Sequence, residues 1–216
     1  MAMLQNDKKR EQGLQRDGDP FEPETMRARR ASARTCGTCS HCCTVLRVDE
    51  LAKAAGRDCR HQRGSDGCGI YSTRPSICRG YKCLWLQGGL EEDERPDATG
   101  GIVDLESRGT GVGLVIREIS VGAFEKSPAL QTIARRYREE MPVRIIDTDD
   151  LMNPDRPFRV LAANETEYRV CGEWTELYRQ GKFVSRRRLG WAERLARRVG
   201  IAWRLRRMRR AGTIAR

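Results

Sequence analysis

The sequence predicts an α+β fold, in which a loop-rich, cysteine-bearing metal-binding segment joins a small hairpin, helix and strand layer and ends in a basic helix. Three observations lead there. Eight of the nine cysteines fall between Cys36 and Cys83. Between Ile102 and Ala162, short alternating apolar runs flank one segment with the three-and-four spacing of a helix. From Lys182 onward thirteen Lys/Arg stand against Glu193 alone, a net of +12, so the rest of a chain whose total is +11 carries about −1.

A chain of 216 residues fits one domain with attached tails. We divide it into a disordered tail over 1–35, a cysteine-cluster domain over 36–181 and a basic amphipathic helical tail over 182–216. Within the domain, 36–87 is the metal-binding part and 95–181 the α+β part. At 38% apolar and 6% aromatic residues the core is modest, and bound metal would supplement it. The first twelve residues are polar with no apolar run behind them, so no secretory leader is expected. No apolar run is long enough to span a bilayer. The expected compartment is the cytoplasm, where clustered cysteines serve as metal ligands rather than disulfides.

In chain order, residues 1–35 are charged and poor in large apolar side chains, and cannot offset their ordering entropy. Arg27, Arg29, Arg30 and Arg34 read as part of that solvated tail. Residues 48–56 form a short helix, with Asp49 at its start and Gly56 at its stop. Gly64, Gly67, Gly69, Pro75 and Gly80 make 59–83 loop-like. Strands near 102–106 and 112–119 flank a glycine-containing turn at 107–111. Ser127-Pro128 opens a helix as N-cap and first residue, whose buried face is Leu130, Ile133, Ala134, Tyr137 and Met141. Residues 143–147 and 158–162 read as two further strands, and 173–180 as a short helix stopped by Gly181. From Ser185 to Met208 the tail is helical, with an apolar stripe of Ala192, Leu195, Ala196, Val199, Ala202 and Trp203 among arginines.

The chemistry concentrates in Cys36-Gly-Thr-Cys39-Ser-His-Cys42-Cys43, followed by Cys59, Cys68, Cys78 and Cys83. Thiolates are soft ligands for zinc and iron. Cys36, Cys39 and Cys43 would share one helix face; in a loop, Cys36, Cys39 and Cys42 follow the spacing that wraps a [4Fe–4S] cluster. The fourth ligand is then remote, from the Cys78/Cys83 region. Adjacent Cys42 and Cys43 point in different directions, toward two centres or with one as a packed thiol. Eight thiolates suit two four-cysteine zinc sites, or an iron–sulfur cluster plus a zinc. Cations such as Arg74 and Arg79 would stabilise the thiolates. His41 and His61 are read as supporting or surface residues, and Cys171 as a buried structural thiol.

The pattern Cys36-x-x-Cys39-x-x-Cys42-Cys43, followed by Cys68-Gly-Ile-Tyr-Ser-Thr-Arg74-Pro75-Ser-Ile-Cys78-Arg79-Gly-Tyr81-Lys-Cys83, resembles the CxxCxxCC family of YkgJ-like cysteine-cluster proteins. The likeness is close over 36–87, and the hairpin–helix–strand portion to about residue 165 resembles the family's longer members. It implies chelation of zinc or iron by the eight cysteines. Some flagellin lysine methylases resemble the same motif, which keeps an iron–sulfur enzyme of redox or group transfer as an alternative.

Other constellations read as structural. Gly109, Gly111 and Gly113 are hairpin residues, since no phosphate-binding motif accompanies them. Asp147, Asp149 and Asp150 form a capping cluster before Leu151. With both histidines among the cysteines, no Ser–His–Asp triad or His-Glu-x-x-His helix can be assembled, and no catalytic residue is assigned. The main expectation is a metal-binding protein with a structural or interaction role and a protein partner of unknown identity. A zinc-shaped nucleic-acid-binding module is the further alternative. The segment 185–216 is read as contacting nucleic acid or an anionic membrane surface, or as a solvated helix packed on the body through its apolar stripe.

Overall fold

The computed structural model describes residues 31, 33–108, 111–147 and 156–210. Its frame is one seven-stranded sheet whose spatial order follows the chain: β1 (Gly101–Arg108), β2 (Gly111–Glu118), β3 (Val143–Ile146), β4 (Phe158–Ala162), β5 (Thr166–Cys171), β6 (Trp174–Arg179) and β7 (Lys182–Arg188). Short helices α1 (His41–Val45), α2 (Ser76–Gly80), α3 (Pro96–Thr99), α4 (Ala123–Lys126) and α5 (Pro128–Tyr137) precede β3, and α6 (Trp191–Arg210) follows the sheet. The fold is mixed α/β.

Neighbouring strands are antiparallel except β2 and β3, which run parallel. A parallel pair needs a crossover, and α4 with α5 supplies it. Ser127 caps α5 as expected, its hydroxyl accepting from the Leu130 amide at 3.3 Å, with Pro128 in the first turn. Leu130 and Ile133 on this helix are fully buried, as are Leu114, Ile116 and Val143 of the strands they meet.

Alternation along the strands separates two faces. Val103, Leu114, Ile116, Val143 and Ile145 join Leu130, Ile133, Leu84, Trp85 and Leu90 in the main core. Ile102, Asp104 and Arg117 lie on the other face of β1 and β2, toward the cysteine segment. A half-buried ion pair ties the core side together: Glu94 accepts from Arg136 of α5 at 2.6 and 3.1 Å.

The hairpin, the capped helix and the strands at 143–146 and 158–162 appear where expected. Four expectations change. Residues 48–56 hold only a 3-10 turn, Asp49–Leu51, because Ala52 turns left-handed (φ 51°) and Lys53 folds back to pair with Val48. The expected helix at 173–180 is β6, since Trp174, Glu176 and Tyr178 alternate with Thr175, Leu177 and Arg179. Gln180 and Gly181, at φ 49° and 73°, turn the chain directly into β7, as a tight hairpin requires. The helix expected from Ser185 starts at Trp191, because Lys182–Arg188 pairs with β6 as a seventh strand. Finally, Arg34 is buried, its guanidinium donating to the carbonyls of Trp85 (2.7 Å) and Leu90 (2.8 Å) and lying 4.7 Å from the Trp85 ring. The rest of the 1–35 reading, residue 31 and residues 33–35 apart, lies outside the described residues. So do Gly109, Asp149, Asp150 and Leu151.

The outer meander is held by charge and rings rather than a core. Arg169 covers the Tyr178 ring at 4.2 Å and Arg186 the Trp174 ring at 4.2 Å, each pair on neighbouring strands.

This division predicts where truncation matters. Leu130→Ala should cost about 2–5 kcal/mol in urea unfolding, from lost transfer energy and the cavity left. Leu195→Ala on exposed α6 should stay within about 0.5 kcal/mol.

Candidate metal centre

Each cysteine is placed by a local backbone device. Cys36 and Cys39 bracket a turn closed by the Cys39 amide on the Cys36 carbonyl at 2.9 Å. The helix α1 carries Cys42 and Cys43 side by side. Cys59 is drawn to it by its own amide, which donates to the Cys43 carbonyl at 3.1 Å. A Gln62–Cys68 bridge and the Gly69 amide on the His61 carbonyl (2.8 Å) fold the next loop back. Cys78 sits within α2. Cys83 enters the body just before Leu84, whose amide joins the edge of β1 at the Val103 carbonyl, 2.8 Å away.

The two halves meet backbone to backbone. Gly67 has φ 75°, and a Cβ there would stand 2.7 Å from the Gly37 carbonyl oxygen. Only glycine combines that dihedral with so close an approach. Side chains reinforce the seam: Gln62 donates to Ser40 at 3.0 Å, and Thr44 donates to Asp58 at 2.8 Å.

The result is a cavity of about 290 Å³ lined by Cys36, Cys39, Cys42, Cys43, Cys59, Cys68, Cys78 and Cys83. Their electrostatic neighbours fall into two sets. Cys42 and Cys83 each feel Cys36 and Cys39, whereas Cys78 feels Cys43, Cys59 and Cys68. Cys43 acts on both Cys42 and Cys78, and a Cys42–Cys43 hydrogen bond joins the sets.

Neither His41 nor His61 is among the lining residues. Cys171 is exposed at the end of β5, not buried as expected, because among the described residues no layer covers the short outer strands.

Charge around the cavity is positive. Arg47, Lys53, Arg74, Arg95 and Arg117 line it against one carboxylate, Asp49. Arg79 does not; its guanidinium donates to the Arg74 carbonyl at 2.7 Å. Lys53 is buried, its ammonium donating to the carbonyls of Thr44 (2.9 Å), Ala54 (3.1 Å) and Leu46. Hydrogen bonding from Cys42, aided by Lys53, Cys68 and Arg74, brings the Cys43 thiol down to about 7. The same bond from the donor side, and then burial, pushes Cys42 up. Burial raises Cys39 and Cys78, and takes Cys83 to about 11. The back wall is pinned to the sheet by Tyr81, whose hydroxyl donates to both Asp104 carboxylate oxygens at 2.9 Å, with Arg117 3.4 Å from the same carboxylate.

Among the described residues no three His, Cys, Asp or Glu side chains stand in a converged metal-holding arrangement. The donor set itself fits soft metals, since eight thiols share one cavity with neighbouring cations, and four thiolates complete a tetrahedral zinc site or a cubane cluster. Lys53, Tyr81 and Arg117 were not singled out from sequence. Lys53 sat in an expected helix, Tyr81 stood within the cysteine pattern with no role given to it, and Arg117 comes close to the cysteines only through the sheet. Asp147 of the acidic cluster pairs with Arg156 at 2.8 Å. Comparison with family models, curated proteins and solved structures finds no match to this chain.

Two outcomes follow. Gly67→Ala should force the seam apart and cost about 1–3 kcal/mol in urea unfolding, because the added methyl meets backbone rather than a movable side chain. In metal-free protein, alkylation should reach Cys43 before Cys39, Cys78 and Cys83. A thiol is a thiolate above its pKa, so its rate should rise with pH through a midpoint near about 7; peptide mass mapping reads the order.

Proposed function

We propose that this chain is a cytoplasmic metal-chelating protein holding zinc or iron through Cys36, Cys39, Cys42, Cys43, Cys59, Cys68, Cys78 and Cys83. The observation that carries this reading is that all eight thiols, spread over 36–83, line one cavity. The two neighbour sets support two four-thiolate centres, Cys36/Cys39/Cys42/Cys83 and Cys43/Cys59/Cys68/Cys78. Lys53, Arg74 and Arg95 would offset the negative charge such centres carry. The resemblance of 36–87 to the CxxCxxCC family points the same way. Metal binding here builds an interaction module: it holds loops that the core alone does not fill. A second reading, an iron–sulfur enzyme, is supported by the apolar and aromatic wall beside the thiols (Leu46, Ile70, Tyr71, Ile102), which leaves room for a reactant. The basic segment 185–216 is the contact surface for an anionic partner, nucleic acid or membrane.

Anaerobic purification with elemental analysis and a visible spectrum tests the reading. Expected is about one to two zinc or about four iron per chain. A brown protein that bleaches on reduction selects the cluster, and a colourless zinc protein removes the iron–sulfur enzyme. Cys83→Ser and Cys78→Ser should each lower the metal content by about half, one from each set. A metal-free protein that stays folded with every thiol titratable would sink the proposal.

A further inference from the structure

The strand β7 borders the seven-stranded sheet and is exposed at all seven positions, Lys182–Arg188. Among the described residues its main chain pairs on one side only, with β6. Ser185–Arg188 lies in regular register with Trp174–Leu177. Val184 is then skipped, and Phe183 and Lys182 stand opposite Tyr178 and Arg179. The start of α6 is drawn away from the outer border. The Leu189 amide donates to the Glu173 carbonyl at 2.7 Å, and Arg194 pairs with the Glu173 carboxylate, which places that start toward the β5–β6 turn on the inner side of β7.

A border of this kind presents a row of amide donors and carbonyl acceptors, a ready template for another strand. Its side chains decide which strand. Phe183, Arg186 and Arg188 share the face of Trp174 and Tyr178, whereas Lys182, Ser185 and Arg187 share the opposite face, so cations stand on both. From Glu173 to Arg194 six Lys/Arg stand against three Glu, a net of +3, and the rest of α6 adds seven arginines. The glutamates hold the arginines in place at the border: Arg188 donates to Glu173 at 2.7 Å, Arg187 to Glu193 at 2.9 Å, and Arg186 lies 3.6 Å from Glu176. Each guanidinium carries five donors and keeps capacity for a further carboxylate.

A second copy of this chain is a poor occupant. Paired antiparallel about Ser185, it would set Lys182 against Arg188; paired parallel in register, it would set each cation against itself. Like charges directly opposite are destabilising. A nucleic acid or a lipid headgroup answers the arginines, but neither carries a strand's ladder of amides and carbonyls. An extended acidic segment answers both.

We propose that the outer border of β7 docks an acidic, extended segment of a partner protein, which adds to the sheet as a further strand with its carboxylates on Lys182, Arg186, Arg187 and Arg188. This goes beyond the reading of 185–216 as a contact surface for nucleic acid or membrane, because it places a protein site on the strand that leads into α6.

The test is fluorescence-anisotropy binding of the full chain to a short labelled peptide alternating glutamate and valine. Its lysine–valine counterpart and the glutamate–valine peptide N-methylated at every backbone nitrogen are run beside it, and hydrogen–deuterium exchange read by mass spectrometry locates the contact. The glutamate–valine peptide is expected to bind and to slow exchange across 182–188, and the lysine–valine peptide not to bind. N-methylation keeps every carboxylate and removes every amide donor, and should weaken binding by about tenfold or more. Lys182→Gln with Arg187→Gln, both at exposed positions, should weaken it severalfold, with circular dichroism reporting that the variant is folded. Equal binding of the N-methylated peptide overturns the inference, as does protection that falls outside 182–188. Absence of binding by the glutamate–valine peptide overturns it too. A single-stranded RNA oligonucleotide that protects 182–188 where the peptide does not overturns the protein site and leaves the contact-surface reading standing.

Discussion

The shared cavity depends on one place where two backbones touch. The Cys36–Cys39 turn and the loop entering Cys68 approach through Gly37 and Gly67, with no room for a side chain between them. Without that contact the chain would carry two short thiol runs separated by a 3-10 turn and a loop. With it, Cys36, Cys39 and Cys68 line the same cavity. The bonds from Gln62 to Ser40 and from Cys59 to Cys43 follow the same line of closure, so the seam is mostly polar and backbone-made. Such a seam gains little from apolar burial, which is the circumstance in which metal coordination contributes most to folding.

The sheet serves this assembly unevenly. β1 to β3 are covered by α5 on one face, while on the other Ile102 and Arg117 of β1 and β2 form part of the cavity wall. The Tyr81–Asp104–Arg117 network crosses that wall. Burial pushes the Asp104 carboxyl up, and Arg117 and the Tyr81 hydroxyl pull it back, so the anion is held by its two partners. Cys83 and Leu84 then lock the end of the cysteine segment to the β1 edge. Among the described residues the outer strands β5 to β7 have no comparable layer; their rings are covered by arginines instead, as Arg169 on Tyr178 and Arg186 on Trp174 show.

How much of this was legible in sequence depends on whether a local or a tertiary term decided each residue. The capped helix after Ser127 and the hairpin were readable because Ser127-Pro128 and the period-two apolar pattern act locally. Residues 173–180 misled because glutamates, leucine and Gly181 fit a short helix, while pairing to β5 and β7 made Trp174–Arg179 a strand. Lys53 misled similarly. In a helix its charge would face water, but here its ammonium binds carbonyls around the C-terminal end of α1 and draws 48–53 into a tight turn. The eight cavity cysteines were named from spacing alone; their division into neighbour sets was not, because it depends on how the loops close. Cys171, free of that cluster, was placed by the habit of its residue type, and the open outer sheet leaves it exposed.

The adjacency of Cys42 and Cys43 has a geometric consequence that spacing alone left open. Neighbouring residues on a helix diverge by about 100°. A single short helix can therefore offer one sulfur to Cys36, Cys39 and Cys83 and the next to Cys59, Cys68 and Cys78. One residue between the two would still separate them, but a gap of three or four would return both to one face. The hydrogen bond between the two thiols, with Cys43 as the acidic partner at about 7, then becomes the point where the sets communicate. Lys53 stands beside that point and clamps the carbonyls of Thr44 and Leu46, so the orientation of both sulfurs is tied to one buried cation.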